Sequence, residues 1–164
     1  MLWQPACDDH LPNRLKTWVS DPGSTCSKLK AQGGFELMFC ECKASVLSDL
    51  NRFKHPAFER TVVLSYQNQP WMVAQSWMIN SNEHAHWIKR LASHEPLGDW
   101  IYDPQWQFKR TDFEWSFDDS WGDWVRSYVD VKAWVARRSY FQQSGYDKLC
   151  LIEVFLEHAQ WHED

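Results

Sequence analysis

The chain has 164 residues, of which 44% are hydrophobic and 24% are charged, and its formal net charge is −5. This length and composition are typical of one globular domain over residues 1–164 and exclude a disordered or fibrous chain. Basic residues are scattered, so the sequence lacks the basic stripe of a nucleic-acid-binding protein.

The first ten residues, MLWQPACDDH, lack the cationic start and the apolar core of a secretory signal. No apolar run approaches the roughly 18 residues that a membrane span requires. We therefore expect a cytoplasmic protein with no membrane span. In that compartment the five cysteines are expected to be reduced thiols rather than a disulfide framework.

Two helices and a strand are predicted in the first quarter of the chain. Apolar residues at helical spacing place the first helix within residues 10–20, and Asp21-Pro22-Gly23 stops it. Ser24 is expected to cap a second helix that runs to Gln32. The alternating residues 35–42 predict the first strand, and residues 43–59 are interpreted as irregular.

Two hairpins dominate the rest of the chain. The first pairs residues 60–66 with 71–79, and the second pairs 135–143 with 148–156 across a turn at Ser144-Gly145. Between them, the pattern predicts a helix at residues 81–92, an alternating aromatic stretch at 105–117, and an acidic, Trp-rich segment at 116–131. We interpret this last segment as a lid extension or a longer surface hairpin. The predicted fold class is α+β, an antiparallel sheet with helices on one side.

Two charged residues are predicted on apolar strand faces. Residues of one parity share a face of a strand, so Glu153 lies with Leu149, Leu151 and Phe155. By the same parity, Arg60 shares a face with apolar residues of its own hairpin. Burying an unpaired charge is costly, so such residues are either structural ion-pair partners or functional groups.

Three pairs of potential metal ligands are set aside: Cys40 and Cys42, His84 and His86, and His158 and His162. The cysteines lack a second ligand pair and are interpreted as buried structural thiols. The first two histidines do not share a helical face, and the last two lie in a polar terminus. We expect no metal site.

A series of short motifs resembles the chorismate pyruvate-lyase family. The motifs are R-x10-W at Arg60 and Trp71, then Pro96-Leu97-Gly98, then Arg137-Arg138-Ser139, and finally Glu153 with Phe155-Leu156. The resemblance extends from about residue 15 to residue 156.

The resemblance implies one antiparallel sheet of about six strands, with helices packed on it and a buried ligand cavity. It implies conversion of chorismate to 4-hydroxybenzoate and pyruvate, the first step toward ubiquinone, without a cofactor. The expected partners are therefore this small-molecule substrate and its product, with no nucleic acid, and the protein is expected to be a monomer.

The resemblance also assigns residues to the site. Arg60 would hold the aromatic carboxylate, with help from main-chain groups at Leu97 and Thr25, and Glu153 would meet the hydroxyl end. Arg60 and Glu153 are the predicted catalytic residues. Desolvation is expected to raise the pKa of Glu153, so that it can donate to or accept from the 4-hydroxyl.

The sequence departs from the family pattern at two positions. The early motif reads Gly23-Ser24-Thr25-Cys26, where the family usually has an aliphatic residue or Met followed by Thr. Gln75 stands where the family commonly has an arginine, which would weaken the hold on the second carboxylate of chorismate unless Arg110 or Arg138 compensates.

Two alternatives stay open. The same fold resembles effector-binding domains of bacterial transcription regulators, so the chain could be a non-catalytic sensor of aromatic carboxylates. Such domains normally follow a helix-turn-helix domain, and the about 20 residues before the predicted sheet are expected to be too few for one. Gln75 motivates the second alternative, a divergent homologue with an altered substrate.

Overall fold

One antiparallel sheet of seven strands organises the part of the chain that the structure describes, in the spatial order β1-β2-β3-β7-β6-β4, with β5 also paired to β6. The structure is a computed structural model that describes residues 2–5, 9, 11–45 and 57–157. The strands are β1 (Phe35–Ser45), β2 (Ala57–Tyr66), β3 (Gln69–Ile79), β4 (Lys109–Arg110), β5 (Glu114–Ser116), β6 (Ala133–Gln143) and β7 (Tyr146–Leu156).

Five α-helices are present in the described part of the chain. They are α1 (Asn13–Ser20), α2 (Thr25–Ala31), α3 (Ala85–Leu91), α4 (Gly98–Ile101) and α5 (Ser120–Arg126). Short 3₁₀ turns at Asn82–His84 and Pro104–Trp106 lie beside α3 and α4. None of the helices in the described ranges is long and apolar enough to cross a membrane.

The two predicted hairpins are confirmed, β2 with β3 and β6 with β7. Each closes on two residues with positive φ, which are Gln67 and Asn68 in the first hairpin and Ser144 and Gly145 in the second. A two-residue turn with positive φ at both positions matches the right-handed twist of the strands that it joins. The chain therefore forms two long ribbons, and β3 pairs with β7 to join them.

Helices cover both faces of the sheet, so the prediction of helices on one side is wrong. Helices α1 to α4 pack on one face, which we call the inner face. Helix α5 packs on the outer face, where Trp121 and Val125 contact a core that includes Val73 and Ile152. The central strands β3 and β7 are buried almost throughout, and a strand buried on both sides needs cover on both sides.

Three segments differ from their predictions. Residues 116–131, expected to be a lid or hairpin, contain α5, whose tryptophans are core residues rather than surface residues. The stretch at 105–117 forms two short strands, which makes the sheet seven-stranded rather than six-stranded. Strand β1 extends to Ser45 and β2 begins at Ala57, so residues 43–45 and 57–59 are regular; residues 46–56 lie outside the described chain.

The N-terminus of α4 lies directly against the N-terminus of α2. Ser24 caps α2 by accepting a hydrogen bond from the Ser27 amide, as predicted. A Cβ atom at Gly98 would lie 1.9 Å from Ser24 Oγ and 3.6 Å from Cys26 Cβ. The two helices can approach this closely because position 98 has no side chain.

We predict that Gly98→Ala destabilises the protein by about 1–3 kcal/mol, because the new methyl group displaces the capping hydroxyl of Ser24. Urea unfolding measures the change. The matched control is Gly122→Ala in α5, where the nearest atom would lie 3.6 Å away. This second methyl group should stabilise the helix by up to about 1 kcal/mol. Equal effects of the two substitutions would contradict the close approach.

Candidate active site

A cavity lies between the inner face of the sheet and helices α2 and α4. About 40 Å³ of it is open to the centre of a water-sized sphere, within about 470 Å³ of atom-free space that includes solvent at its mouth. The apolar part of its wall includes Leu37, Val62, Leu64, Met72, Ala74 and Leu151. The polar part includes Ser24, Thr25, Arg60, Ser76, Tyr102 and Glu153. An apolar wall with a few polar groups is typical of a site for a small organic molecule.

Arg60 supplies a guanidinium to this cavity. It lies on β2 opposite Ser76 of β3, and its side chain is 2% exposed. Its Nη2 donates to the carbonyl oxygen of Glu95 at 2.8 Å. Burial lowers the pKa of Arg60, but an arginine keeps its charge in proteins. The cavity therefore contains a fixed cation whose planar fork suits a carboxylate.

Glu153 lines the same cavity and is 3% exposed. Arg137 binds it through two nitrogens, with Nε 2.6 Å from Oε2 and Nη2 3.0 Å from Oε1. Arg110 Nη2 donates to Oε2 at 2.7 Å, and the Thr25 hydroxyl donates to Oε1 at 3.0 Å. Both guanidinium groups lie over the ring of Phe113, which shields the cluster from solvent.

Arg137 also fixes the end of α1. Its Nη1 donates to the carbonyl oxygens of Val19 at 2.7 Å and Asp21 at 2.8 Å. Val19 lies in the last turn of the helix and Asp21 directly follows it, where backbone acceptors lack partners within the helix. Because Arg137 is 1% exposed, this one side chain links α1, α2 and β7 inside the core.

The electrostatics of Glu153 contradict the expected raised pKa. Desolvation by burial raises the pKa, but Arg137 and Arg110, together with hydrogen bonds from Arg137 and Thr25, outweigh it and lower the pKa from 4.5 to about 2. The prediction considered burial without the two guanidinium partners. Glu153 is consequently an anion at any physiological pH.

Two other ionisable groups of the wall are neutral at physiological pH. Burial, followed by the fields of Glu153 and Asp99, raises the pKa of the Cys26 thiol to about 12. Burial also raises the pKa of the Tyr102 hydroxyl. Neither side chain is therefore a nucleophilic anion at neutral pH. The Tyr102 hydroxyl is uncharged and can only take part in hydrogen bonds.

Comparison with known proteins identifies the family of the chain. The sequence matches the family model described as chorismate lyase over residues 1–164, which is the whole chain. The chain belongs to the chorismate lyase family. No curated protein sequence matches it.

Two solved structures are similar to this chain. The effector domain of PhnF from Mycobacterium smegmatis has a TM-score of 0.55 and 13% identity, and the match covers 82% of this chain and 88% of that chain. The ligand-binding domain of a putative GntR-family transcriptional regulator from Bordetella bronchiseptica has a TM-score of 0.46 and 10% identity, over 74% of this chain and 85% of that chain. The first likeness shows a shared fold and nothing about activity.

Four residues that the family resemblance predicted for the site lie around one cavity: Thr25, Arg60, Leu97 and Glu153. Their roles toward a ligand stay predictions, as do the main-chain contacts expected of Thr25 and Leu97. Arg110, named as an auxiliary residue, binds Glu153 and also donates to Ser139 at 2.8 Å and to the Tyr102 hydroxyl at 2.6 Å.

Two auxiliary residues face away from the cavity, so their assignment to the site is wrong. Gln75 lies on the outer face of β3, where its amide donates to Glu59 at 2.7 Å. Arg138 lies on the outer face of β6, where it pairs with Glu114 at 2.9 Å and covers the ring of Trp3. Neighbours along a strand alternate between its faces, which separates both residues from the family site.

Arg137 is the residue that the sequence argument missed, although it stands in the quoted motif Arg137-Arg138-Ser139. Residue Arg137 pairs with Glu153 across β6 and β7. The register shifts between Phe141 and Gln142. Without that bulge, the two-residue turn would align Ala136 with Glu153 and turn Arg138 to the inner face. The alternation of the strand alone therefore selects the wrong arginine.

Most of the candidate metal ligands and cysteines lie in the part of the chain that the structure describes. In the described ranges, no group of three or more His, Cys, Asp or Glu side chains is placed to hold a metal ion. Cys26, Cys40, Cys42 and Cys150 are free thiols, as predicted. Cys40 and Cys42 are half-buried rather than buried, and β1 has a bulge between Phe39 and Glu41. Cys7, His158 and His162 lie outside the described residues.

We predict that Arg137→Met costs about 3–5 kcal/mol of unfolding free energy, because it leaves the Glu153 carboxylate buried with less compensation. Arg138→Met is the matched control on the next residue. Its partner Glu114 is 37% exposed, so the loss should be about 1 kcal/mol or less. Urea unfolding at pH 7 measures both values. A larger loss for Arg138→Met would show that the register of β6 is different.

The pKa of Glu153 predicts a pH-dependent stability. Because its folded-state pKa of about 2 lies below the ordinary 4.5, its interactions stabilise the fold above pH 4.5 and are lost as the pH falls toward 2. The difference in unfolding free energy between the wild type and Glu153→Gln should therefore shrink by about 3 kcal/mol between pH 6 and pH 2. A constant difference across this range would mean that Glu153 is not a paired anion.

Proposed function

We propose that the protein is a lyase that converts chorismate to 4-hydroxybenzoate and pyruvate. The observation that carries the proposal is that Arg60 and the anionic Glu153 both face one largely apolar cavity in a chain of the chorismate lyase family. The wall between them suits the faces of a six-membered carbon ring. The two charged groups suit the substituents at its opposite ends.

Arg60 is the proposed anchor for the ring carboxylate. A guanidinium forms two parallel hydrogen bonds with a carboxylate, which fixes the plane of the ring as well as its position. The guanidinium is already desolvated at 2% exposure, so ligand binding does not have to remove it from water. This arrangement favours anionic substrates over their amides or esters.

Glu153 is the proposed acceptor for the 4-hydroxyl. A carboxyl group with a pKa of about 2 has no proton to give at pH 7, and it is also a weak base. Its contribution is therefore to hold the ring by its hydroxyl while the bonds change. Orientation of this kind supplies a large part of the rate increase when the chemistry itself is favourable.

The charge near Glu153 suits a dianionic substrate. Arg110 and Arg137 carry two positive charges around the single negative charge of Glu153. Chorismate carries a ring carboxylate and an enolpyruvyl carboxylate. The surplus positive potential draws such a dianion into the site and compensates the negative charge of the departing enolpyruvate.

The proposed reaction is an elimination. The ring loses the hydrogen at C4, the ether bond between C3 and the enolpyruvyl oxygen breaks, and the electrons of the C–H bond complete the aromatic ring. Enolpyruvate then gains a proton at its methylene carbon to become pyruvate. The atoms and electrons balance without an oxidant, a reductant or a second substrate, and aromaticity drives the reaction.

We predict that incubation with chorismate yields 4-hydroxybenzoate and pyruvate in equal amounts, measured by chromatography and a coupled pyruvate assay. Arg60→Lys keeps the charge but loses the fork, so kcat/KM should fall at least about 100-fold. Arg138→Lys on the outer face is the matched control and should change kcat/KM by less than about twofold. Equal rates for Arg60→Lys and the wild type would remove Arg60 from the site.

A non-catalytic sensor of aromatic carboxylates is the second candidate, because the PhnF effector domain shares this fold. The same experiment separates the two functions. A protein that binds 4-hydroxybenzoate but leaves chorismate intact is a sensor. The third alternative, a divergent homologue with an altered substrate, was based on Gln75. It loses that support because Gln75 lies on the outer face and contacts Glu59 rather than the cavity.

A further inference from the structure

The carboxylate of Glu153 is saturated with hydrogen bonds before any ligand arrives. Oε2 accepts from Arg137 at 2.6 Å and from Arg110 at 2.7 Å. Oε1 accepts from Arg137 at 3.0 Å and from the Thr25 hydroxyl at 3.0 Å. A carboxylate offers about four lone-pair positions, and these bonds use all of them. A ligand hydroxyl can bind Glu153 only by displacing one of these donors.

Thr25 is the donor that a ligand can displace. Thr25 and Glu153 line the cavity, whereas neither arginine is part of the lining that the described residues form. Arg137 is tied to the carbonyl oxygens of Val19 and Asp21, and a shift would break those bonds as well. The Thr25 hydroxyl donates to Glu153 and accepts from Arg137 Nη2 at 2.9 Å, and one rotation about its Cα–Cβ bond releases both contacts without moving the backbone.

We propose that the Thr25 hydroxyl determines specificity by occupying the position on Glu153 that a ligand's 4-hydroxyl would otherwise take. This inference rests on the proposed function of the same cavity and adds the class of ligand that the cavity accepts. The site holds aromatic carboxylates with and without a 4-hydroxyl almost equally. It also releases a 4-hydroxylated product more readily than the same site without the Thr25 hydroxyl.

The physical basis is an exchange of one hydrogen bond for another. A site whose buried acceptor has no partner rejects ligands that lack the matching donor, because the acceptor then stays unpaired. With Thr25 in place, a ligand without the hydroxyl leaves Glu153 fully paired. A ligand with the hydroxyl donates to Glu153 in place of Thr25 and can accept the bond that Arg137 otherwise donates to Thr25, so the net gain is small.

The experiment compares two probes, 4-hydroxybenzoate and benzoate, by isothermal titration calorimetry on the wild type and on Thr25→Val. Valine has the shape of threonine without the hydroxyl, so Oε1 gains an open acceptor position. The wild type should prefer 4-hydroxybenzoate by less than about threefold, and Thr25→Val should raise this preference to about tenfold or more. The increase should come from tighter binding of 4-hydroxybenzoate, while the Kd of benzoate stays within about twofold.

Thr25→Ser is the matched control, because it retains the hydroxyl and should retain the weak preference of the wild type. Unfolding curves verify that each variant is folded at the temperature of the titrations. An unchanged preference in Thr25→Val overturns the inference. Weaker binding of 4-hydroxybenzoate by Thr25→Val also overturns it, since Thr25 would then contact the ligand directly.

The outcome is separable from that of the lyase assay. A protein that binds both acids with the expected ratios but does not consume chorismate supports the inference and contradicts the proposed reaction. Turnover of chorismate, together with an unchanged preference in Thr25→Val, supports the proposed reaction and contradicts the inference about Thr25. Failure of the wild type to bind either acid at millimolar concentration contradicts both.

Discussion

The buried ion pair between Glu153 and Arg137 is the interaction on which the site and much of the fold depend. Two charges inside a core stabilise a structure only when their remaining hydrogen-bonding positions are filled. Arg137 meets that condition by binding the carboxylate, the Thr25 hydroxyl and the carbonyl oxygens beyond α1. The same contacts position α1 and α2 over the inner face, so the ion pair shapes the cavity that Glu153 lines.

The division of the sheet into two faces separates binding from stability. The inner face carries the cavity, with Arg60 and Glu153 among apolar side chains. The outer face has its own polar group, in which Glu59 accepts from Gln75 and from Trp77, and it is sealed by α5. A polar residue in this sheet cannot be assigned to the site from its position in the chain, because its face decides what it contacts.

Local patterns were sufficient for much of the fold and for part of the site. Both hairpins and the Ser24 cap follow from residues close together in the chain, and the parity of β2 and β7 identified Arg60 and Glu153 as inner-face charges. Contacts that form in three dimensions were not available to that reasoning. The pKa of Glu153 depends on Arg110, 43 positions away, and α5 resembles a surface segment until its tryptophans meet the outer core.

The bulge between Phe141 and Gln142 gives the double arginine of β6 a further meaning. A slip of the β6–β7 register by one residue normally moves every side chain to the wrong face and destroys a site. Here a slip that removed Arg137 from the inner face would bring Arg138 to it. Either register of β6 therefore places one arginine of the tandem pair on the face of the sheet that carries Glu153.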